Sequence, residues 1–203
     1  MARIESVDRL RQIIGEPHTV TQYKITETLQ PEAVEFIGRS PFLLLATVNA
    51  DGRPDVSPKG DQPGFVVVEN SSHFLIPERA GNRLILGLQN ILANPRVALI
   101  FLVPGTEETL RVSGTAELLE TADLAHTLAA RGKPALLAIR VAVDRCFFHC
   151  ARAFKRGRVW EAASWPPSQK FSFGRIMARN LGRGEDVAKQ IDTAVEAGYR
   201  DEL

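Results

Sequence analysis

The chain has 203 residues, 25 Lys+Arg against 24 Asp+Glu, and 44% apolar residues, an ordinary globular composition with length for one domain and a sizeable core. The near-zero charge balance argues against a nucleic-acid binder held by bulk electrostatics, and no apolar run approaches the ~20 residues that span a bilayer. The only two cysteines, Cys146 and Cys150, exclude a disulfide scaffold, and the first residues lack the apolar segment of a secretory signal, so a cytoplasmic protein is expected.

Ile4, Val7, Leu10, Ile13 and Ile14 recur at helical spacing until Gly15-Glu16-Pro17 stops them, which predicts a short amphipathic helix. A second helix is expected from Pro31 to about Gly38, burying Val34, Phe36 and Ile37. Phe42 to Val48 is an apolar strand, Asn49-Ala50-Asp51-Gly52 is turn chemistry, and Arg53 to Lys59 completes a hairpin. Phe65 to Val68, His73 to Ile76 and Val97 to Val103 read as further strands. Thr109 to Leu118 alternates, with Leu110, Val112, Ala116 and Leu118 on one face. Ala135 to His149 holds another long strand. Helices are expected at Asn82 to Leu92, with Asn82 as a possible cap, at Thr121 to Ala130, and at 184–198. The pattern predicts a mainly β (α+β) chain: an antiparallel barrel of six or seven strands with peripheral helices. Residues 1–160 would form the barrel domain, and 161–203 a basic, helical extension packed on or near it.

The chain carries no GxGxxG after a strand, no GxxxxGK[ST], no GxSxG and no HExxH. Its four histidines, His18, His73, His126 and His149, are scattered. Cys146-x-x-His149-Cys150 offers only three soft ligands, so these read as strand-end and core residues rather than a metal site. The alternative to that reading is a reactive Cys150, activated by nearby Arg152, Lys155 and Arg156.

Two stretches carry more. In Arg53-Pro54-Asp55-Val56-Ser57-Pro58-Lys59-Gly60-Asp61, Arg53, Asp55, Ser57 and Lys59 share one strand face, and the prolines place the strand at an edge. That polar face suits a ligand rich in acceptors; a solvated edge strand has the same pattern. In Pro77-Glu78-Arg79-Ala80-Gly81-Asn82-Arg83-Leu84, the chain leaves a strand and opens a helix, whose N-terminal amides and flanking arginines favour phosphate. An ordinary capped helix with surface arginines reads the same way.

FLLLATVNADGRPDVSPKGDQPGFV, FLIPERAGNRLILGLQNILANPRVALIFLVPG and TLRVSGTAEL, in that order, resemble the pyridoxamine 5′-phosphate oxidase-like FMN-binding split-barrel proteins, in particular a bacterial branch of unassigned substrate. The resemblance runs from about Pro31 to Trp160. It implies a six-stranded split barrel that forms a homodimer, with FMN at the subunit interface touched by both subunits. Val56, Ser57, Pro58 and Lys59 would run along the isoalloxazine ring, with Gly60 and Asp61 closing that strand. Ser57 and Asp61 would hydrogen-bond the pyrimidine edge, and Lys59 would stabilise negative charge on the reduced ring. Arg79, Asn82 and Arg83 would grip the phosphate, and Gln89 and Asn90 would lie near the ring edge or the phosphoribityl chain. The partner subunit would contribute Arg111 and the segment His149 to Trp160, here His149, Cys150, Lys155 and Arg156.

The implied activity is FMN-dependent oxidoreduction, by hydride transfer at flavin N5, on an unidentified small molecule. The Arg-x-x-His-Asp-Arg-like substrate signature of authentic pyridoxamine 5′-phosphate oxidases is absent, which puts vitamin B6 oxidation in doubt. The alternatives are that oxidase proper, or a flavin- or haem-binding carrier or sensor using one of the histidines; a deazaflavin could also replace FMN. Residues 150–183 hold eight Lys/Arg and one acid, which would cover an anionic ligand or, beyond Trp160, form a solvated tail. Neither nucleic acid nor membrane is an expected partner.

Overall fold

A computed structural model describes residues 3–120 and 127–201. Its centre is one antiparallel sheet of strands β1 (Phe42–Val48), β2 (Pro54–Gly60), β3 (Val67–Asn70), β4 (His73–Glu78), β5 (Arg96–Leu102), β6 (Thr109–Leu119) and β7 (Leu137–His149). Seven strands form it, one for each strand segment read from the pattern and one more than the six that the resemblance implies, in the order β2-β1-β5-β6-β7-β4-β3. The short β3 overlaps the strand read at Phe65 to Val68 and starts two residues later. The sheet is not closed by backbone bonds, so β2 and β3 are its two ends.

The end position of β2 follows from its chemistry. Pro54 and Pro58 pair opposite Val48 and Leu44, and neither has an N–H to offer a strand on the other side. The β1–β2 turn forms as expected: Gly52 takes φ +80°, and Asn49 Oδ1 accepts from the Arg53 amide at 2.9 Å. Alternation then fixes which side chains face the interior. Leu43 and Leu45 on β1 are buried, and their partners Lys59 and Ser57 on β2 point to the same side. Phe74, Ile76, Leu99, Phe101, Val112, Ile139 and Val141 complete the interior, with Phe74 and Phe101 edge-to-face at 5.8 Å. At Gly114 the β6–β7 register shifts, and an added Cβ would lie 1.9 Å from the Ala142 carbonyl oxygen.

The helices are α1 (Val7–Ile14), α2 (Pro31–Arg39), α3 (Leu86–Ala93), α4 (Arg152–Gly157), α5 (Phe173–Asn180) and α6 (Glu185–Asp201). Helix α2 buries Ala33 and Ile37, while Phe36 packs edge-to-face on Phe148 at 5.4 Å. Val34, expected inside, is exposed because it sits on the flank of that face. Helix α3 begins four residues later than expected. Arg83 and Ile85 are left-handed (φ +59° and +48°), which interrupts any helix started at Asn82, and Asn82 instead accepts from the Leu84 amide. The helix expected at Thr121 to Ala130 falls mostly on 121–126, outside the described residues; 127–130 form a turn and a bridge. Helices α5 and α6 pack on each other so closely that a Cβ at Gly174 would lie 1.9 Å from the Ala188 carbonyl oxygen. No described helix is long and apolar enough to cross a membrane.

Candidate functional site

The sheet curls until its β2 end faces β4, and the seam is joined by side chains instead of a ladder. Lys59 Nζ on β2 pairs with Glu78 Oε2 on β4, both less than one-fifth exposed. Just past the ends of the two strands, Arg79 Nε donates to Asp61 Oδ2 at 2.8 Å. The Lys59–Glu78 pair follows from parity. Lys59 shares the inward face of Leu43, and Glu78 follows Phe74 and Ile76 at two-residue steps. An ammonium and a carboxylate brought to the mouth of an apolar interior have to pair, because desolvation without a partner is costly.

Beside this seam lies a cleft of about 600 Å³. One wall is Ser57, Pro58, Lys59, Gly60 and Asp61; the other is Pro77 to Asn82. Its rim is supplied by Ala130, Arg131, Lys133, Pro134 and Leu136 from the connection between β6 and β7. The volume lies in the range of small-ligand sites, and the mixture of apolar rings and carbonyls with convergent charges suits a flat heterocycle carrying an anion. The cleft therefore fits FMN in size and donor set. Lys59 and Ser57 would face the ring, and the cationic and amide-rich side would face its phosphate.

Of the residues expected at a flavin, the cleft brings together Ser57, Pro58, Lys59, Gly60, Asp61, Arg79 and Asn82. Others lie elsewhere. Val56 is exposed on the outer face of β2, and Arg83 is exposed on the left-handed segment before α3. Gln89 is exposed on α3, while Asn90 turns inward and donates to the buried Thr47 hydroxyl at 3.0 Å. Arg111 stands on the outer face of β6, its guanidinium 5.2 Å from the centre of the Phe147 ring. His149 ends β7 opposite Thr109, and Cys150 follows it, exposed. Lys155 pairs with Glu107, whose carboxylate raises the lysine pKa, and Arg156 lies beside it on α4.

Arg131 and Lys133 escaped the sequence reading. They belong to no motif, and only the tertiary path of the β6–β7 connection sets them beside Ser57–Asp61. The one available signal was Arg131-Gly132, a pair suited to a tight reversal. Cys146 is a core residue, as expected: its side chain is buried, and burial pushes its thiol pKa up to about 11. Among the described residues no group of His, Cys, Asp and Glu could hold a metal ion; His126 lies outside them.

Several solved structures resemble the chain. One is a putative pyridoxamine 5′-phosphate oxidase from Lactobacillus delbrueckii, 32% identical, covering 60% of this chain and 95% of its own, with TM-score 0.46. Another is HutZ, the heme storage protein from Vibrio cholerae, 19% identical, covering 60% and 93%, with TM-score 0.41. An FMN-binding protein from Syntrophomonas wolfei is 7% identical, covering 58% and 88%, with TM-score 0.44. No curated protein matches the sequence. Residues 29–150, more than half of the chain and including the whole sheet, match the family described as pyridoxamine 5′-phosphate oxidase. Together with the antiparallel split sheet, that match makes this chain a member of the pyridoxamine 5′-phosphate oxidase family.

Proposed function

We propose that the chain is an FMN-binding flavoprotein and acts as a cytoplasmic oxidoreductase on a small molecule. The observation that carries this reading is the convergence of Ser57–Asp61 and Arg79–Asn82 on one cleft of ligand size, in a chain of this family. A bound flavin would supply two-electron chemistry, hydride transfer at its N5. The chain's own part is to bind and orient. Ser57 and the backbone of Gly60 and Asp61 present donors and acceptors to a ring edge, and Pro58, Phe65 and Leu136 supply apolar contact. Lys59 places a cation at that edge, tempered by the Glu78 carboxylate that it holds.

A second copy of the chain completes the site. Arg111, His149, Cys150, Lys155 and Arg156 do not line the cleft of their own subunit, so only a neighbouring subunit's ligand is open to them. The outer face of β2, β1 and β5 supports this. It presents Val56 at 56% exposure and Phe42 at 36%, together with partly exposed Leu44, Ile100 and Leu102. A second copy would cover this apolar face.

The test is an absorption spectrum of the purified protein with mass identification of what co-purifies, followed by FMN titration. Flavin bands and a saturable titration are expected. A folded sample that stays colourless and ignores FMN refutes the reading; a Soret band would establish a haem protein instead, and a co-purifying deazaflavin a different cofactor.

A further inference from the structure

Four cationic side chains line the cleft among the described residues: Lys59, Arg79, Arg131 and Lys133. Lys59 and Arg79 are committed to the fold. Lys59 holds Glu78. Arg79 uses Nε on Asp61 and Nη1 on the Leu128 carbonyl oxygen at 2.7 Å, and the Asp61 side chain is only 9% exposed. An anion that drew Arg79 away would leave a nine-tenths buried carboxylate without its cation and held only by the Gln62 amide, a severe penalty. Arg79 is therefore poorly suited to grip a phosphate. Its geometry is that of a strut between the end of β2 and Leu128, a buried residue that anchors the β6–β7 connection on Leu75, Ala135 and Ala138.

What the strut holds is a tight reversal. Ala130 and Lys133 exchange both backbone hydrogen bonds, at 3.0 and 2.9 Å. The central residues Arg131 and Gly132 both take left-handed φ, +50° and +75°. Glycine does so without strain, an arginine does not, and strained side-chain-bearing positions concentrate where a side chain has work to do. The reversal sets Arg131 and Lys133 on the cleft rim, facing the wall formed by Ser57–Asp61.

We infer that the Ala130–Lys133 turn, through Arg131, is the arm that holds a phosphate monoester in this cleft, and that Arg79 is a positioning residue for that arm. This deepens the flavin reading and rests on it where the phosphate belongs to FMN. A phosphorylated second ligand beside the flavin would present the same chemistry. A guanidinium on a preformed turn pairs with two phosphate oxygens at little ordering cost.

The experiment compares wild type with Arg131→Gly, which keeps the left-handed turn while deleting the guanidinium, and with Arg131→Lys. Flavin-free protein is titrated with FMN and with riboflavin, and both flavin-free and flavin-loaded protein are titrated with inorganic phosphate by calorimetry. If the phosphate is the cofactor's, Arg131→Gly weakens FMN about ten-fold or more and leaves riboflavin unchanged, and Arg131→Lys restores part of the loss. If it belongs to a second ligand, FMN affinity holds while flavin-loaded Arg131→Gly loses its phosphate heat. Both outcomes support the arm. Equal FMN, riboflavin and phosphate affinities in wild type and Arg131→Gly overturn it, as does a wild type that binds no phosphate and does not distinguish FMN from riboflavin. A wild type that binds inorganic phosphate through Arg131 but no flavin refutes the flavin reading and leaves this inference standing.

Discussion

Lys59 and Glu78 illustrate how much a single inward-facing position decides. Lys59 sits opposite the buried Leu43 and Glu78 follows the buried Phe74 and Ile76, and the two side chains pair with each other across the seam. Replacing Glu78 with Gln leaves Lys59 paired only to a neutral oxygen, and we expect a loss of about 1–3 kcal/mol in chemical denaturation. The same substitution removes a negative charge beside the proposed ring site, so the midpoint potential of bound flavin should rise; a spectroelectrochemical titration with an unchanged potential would place the pair away from the ring. Gly114 is the other decisive residue. A Cβ there would lie 1.9 Å from the Ala142 carbonyl oxygen, in a β6–β7 pairing that has no room to yield. Gly114→Ala should cost about 3 kcal/mol in thermal or urea unfolding, well beyond the effect of an exposed glycine such as Gly105.

At the scale of elements, the α5–α6 hairpin has its own logic. Asp192 on α6 accepts from the Ser172 hydroxyl and from the Gly174 amide at 2.7 Å, so α6 reaches across to satisfy the open N-terminus of α5. Those donors hold the Asp192 carboxyl below its usual pKa. A depressed carboxylate pKa contributes stability above the unfolded value, about 4, and that contribution disappears as pH falls through the folded value. The hairpin should therefore loosen in acid below about pH 4, read as faster amide exchange in α5, and Asp192→Asn should flatten that dependence. In sequence, residues 150–183 show mainly their charge, which suggests a solvated tail. The apolar residues Phe173, Ile176, Met177 and Leu181 line one exposed face of α5, while Gly174 and Ala178 are buried. A helix whose packed face is built from glycine and alanine leaves little hydrophobic signal to read.

For the whole molecule, the split sheet means that the cleft exists only where β2 and β4, far apart in the order of the sheet, meet. The proposed dimer would bury the outer face of β2, β1 and β5, so Val56→Glu or Ala46→Glu should shift the protein toward monomer in sedimentation or light scattering, with flavin lost in parallel. Retention of both dimer and flavin in these variants would place the interface on another face.

Much of this was legible in the chain itself. The hairpin at Asn49–Gly52, the edge placement of β2 and the inward set Leu110, Val112 and Ala116 on β6 follow from proline's missing donor, turn chemistry and alternation, all of which are local. So was half of the cleft, because Ser57–Asp61 and Arg79–Asn82 sit in compact motifs. The start of α3 was not, since two left-handed residues override a good helical pattern. Nor were the roles of Arg79 and Arg131. Arg79 sits in a setting that favours phosphate and Arg131 in no motif at all, and the sequence cannot say which will meet a carboxylate of its own chain. The tertiary structure decided that by curling the sheet until Asp61 met Arg79 and by carrying the β6–β7 connection over the cleft. Local periodicity specifies strands and faces, whereas the pairing of charges depends on distances between segments far apart in the chain.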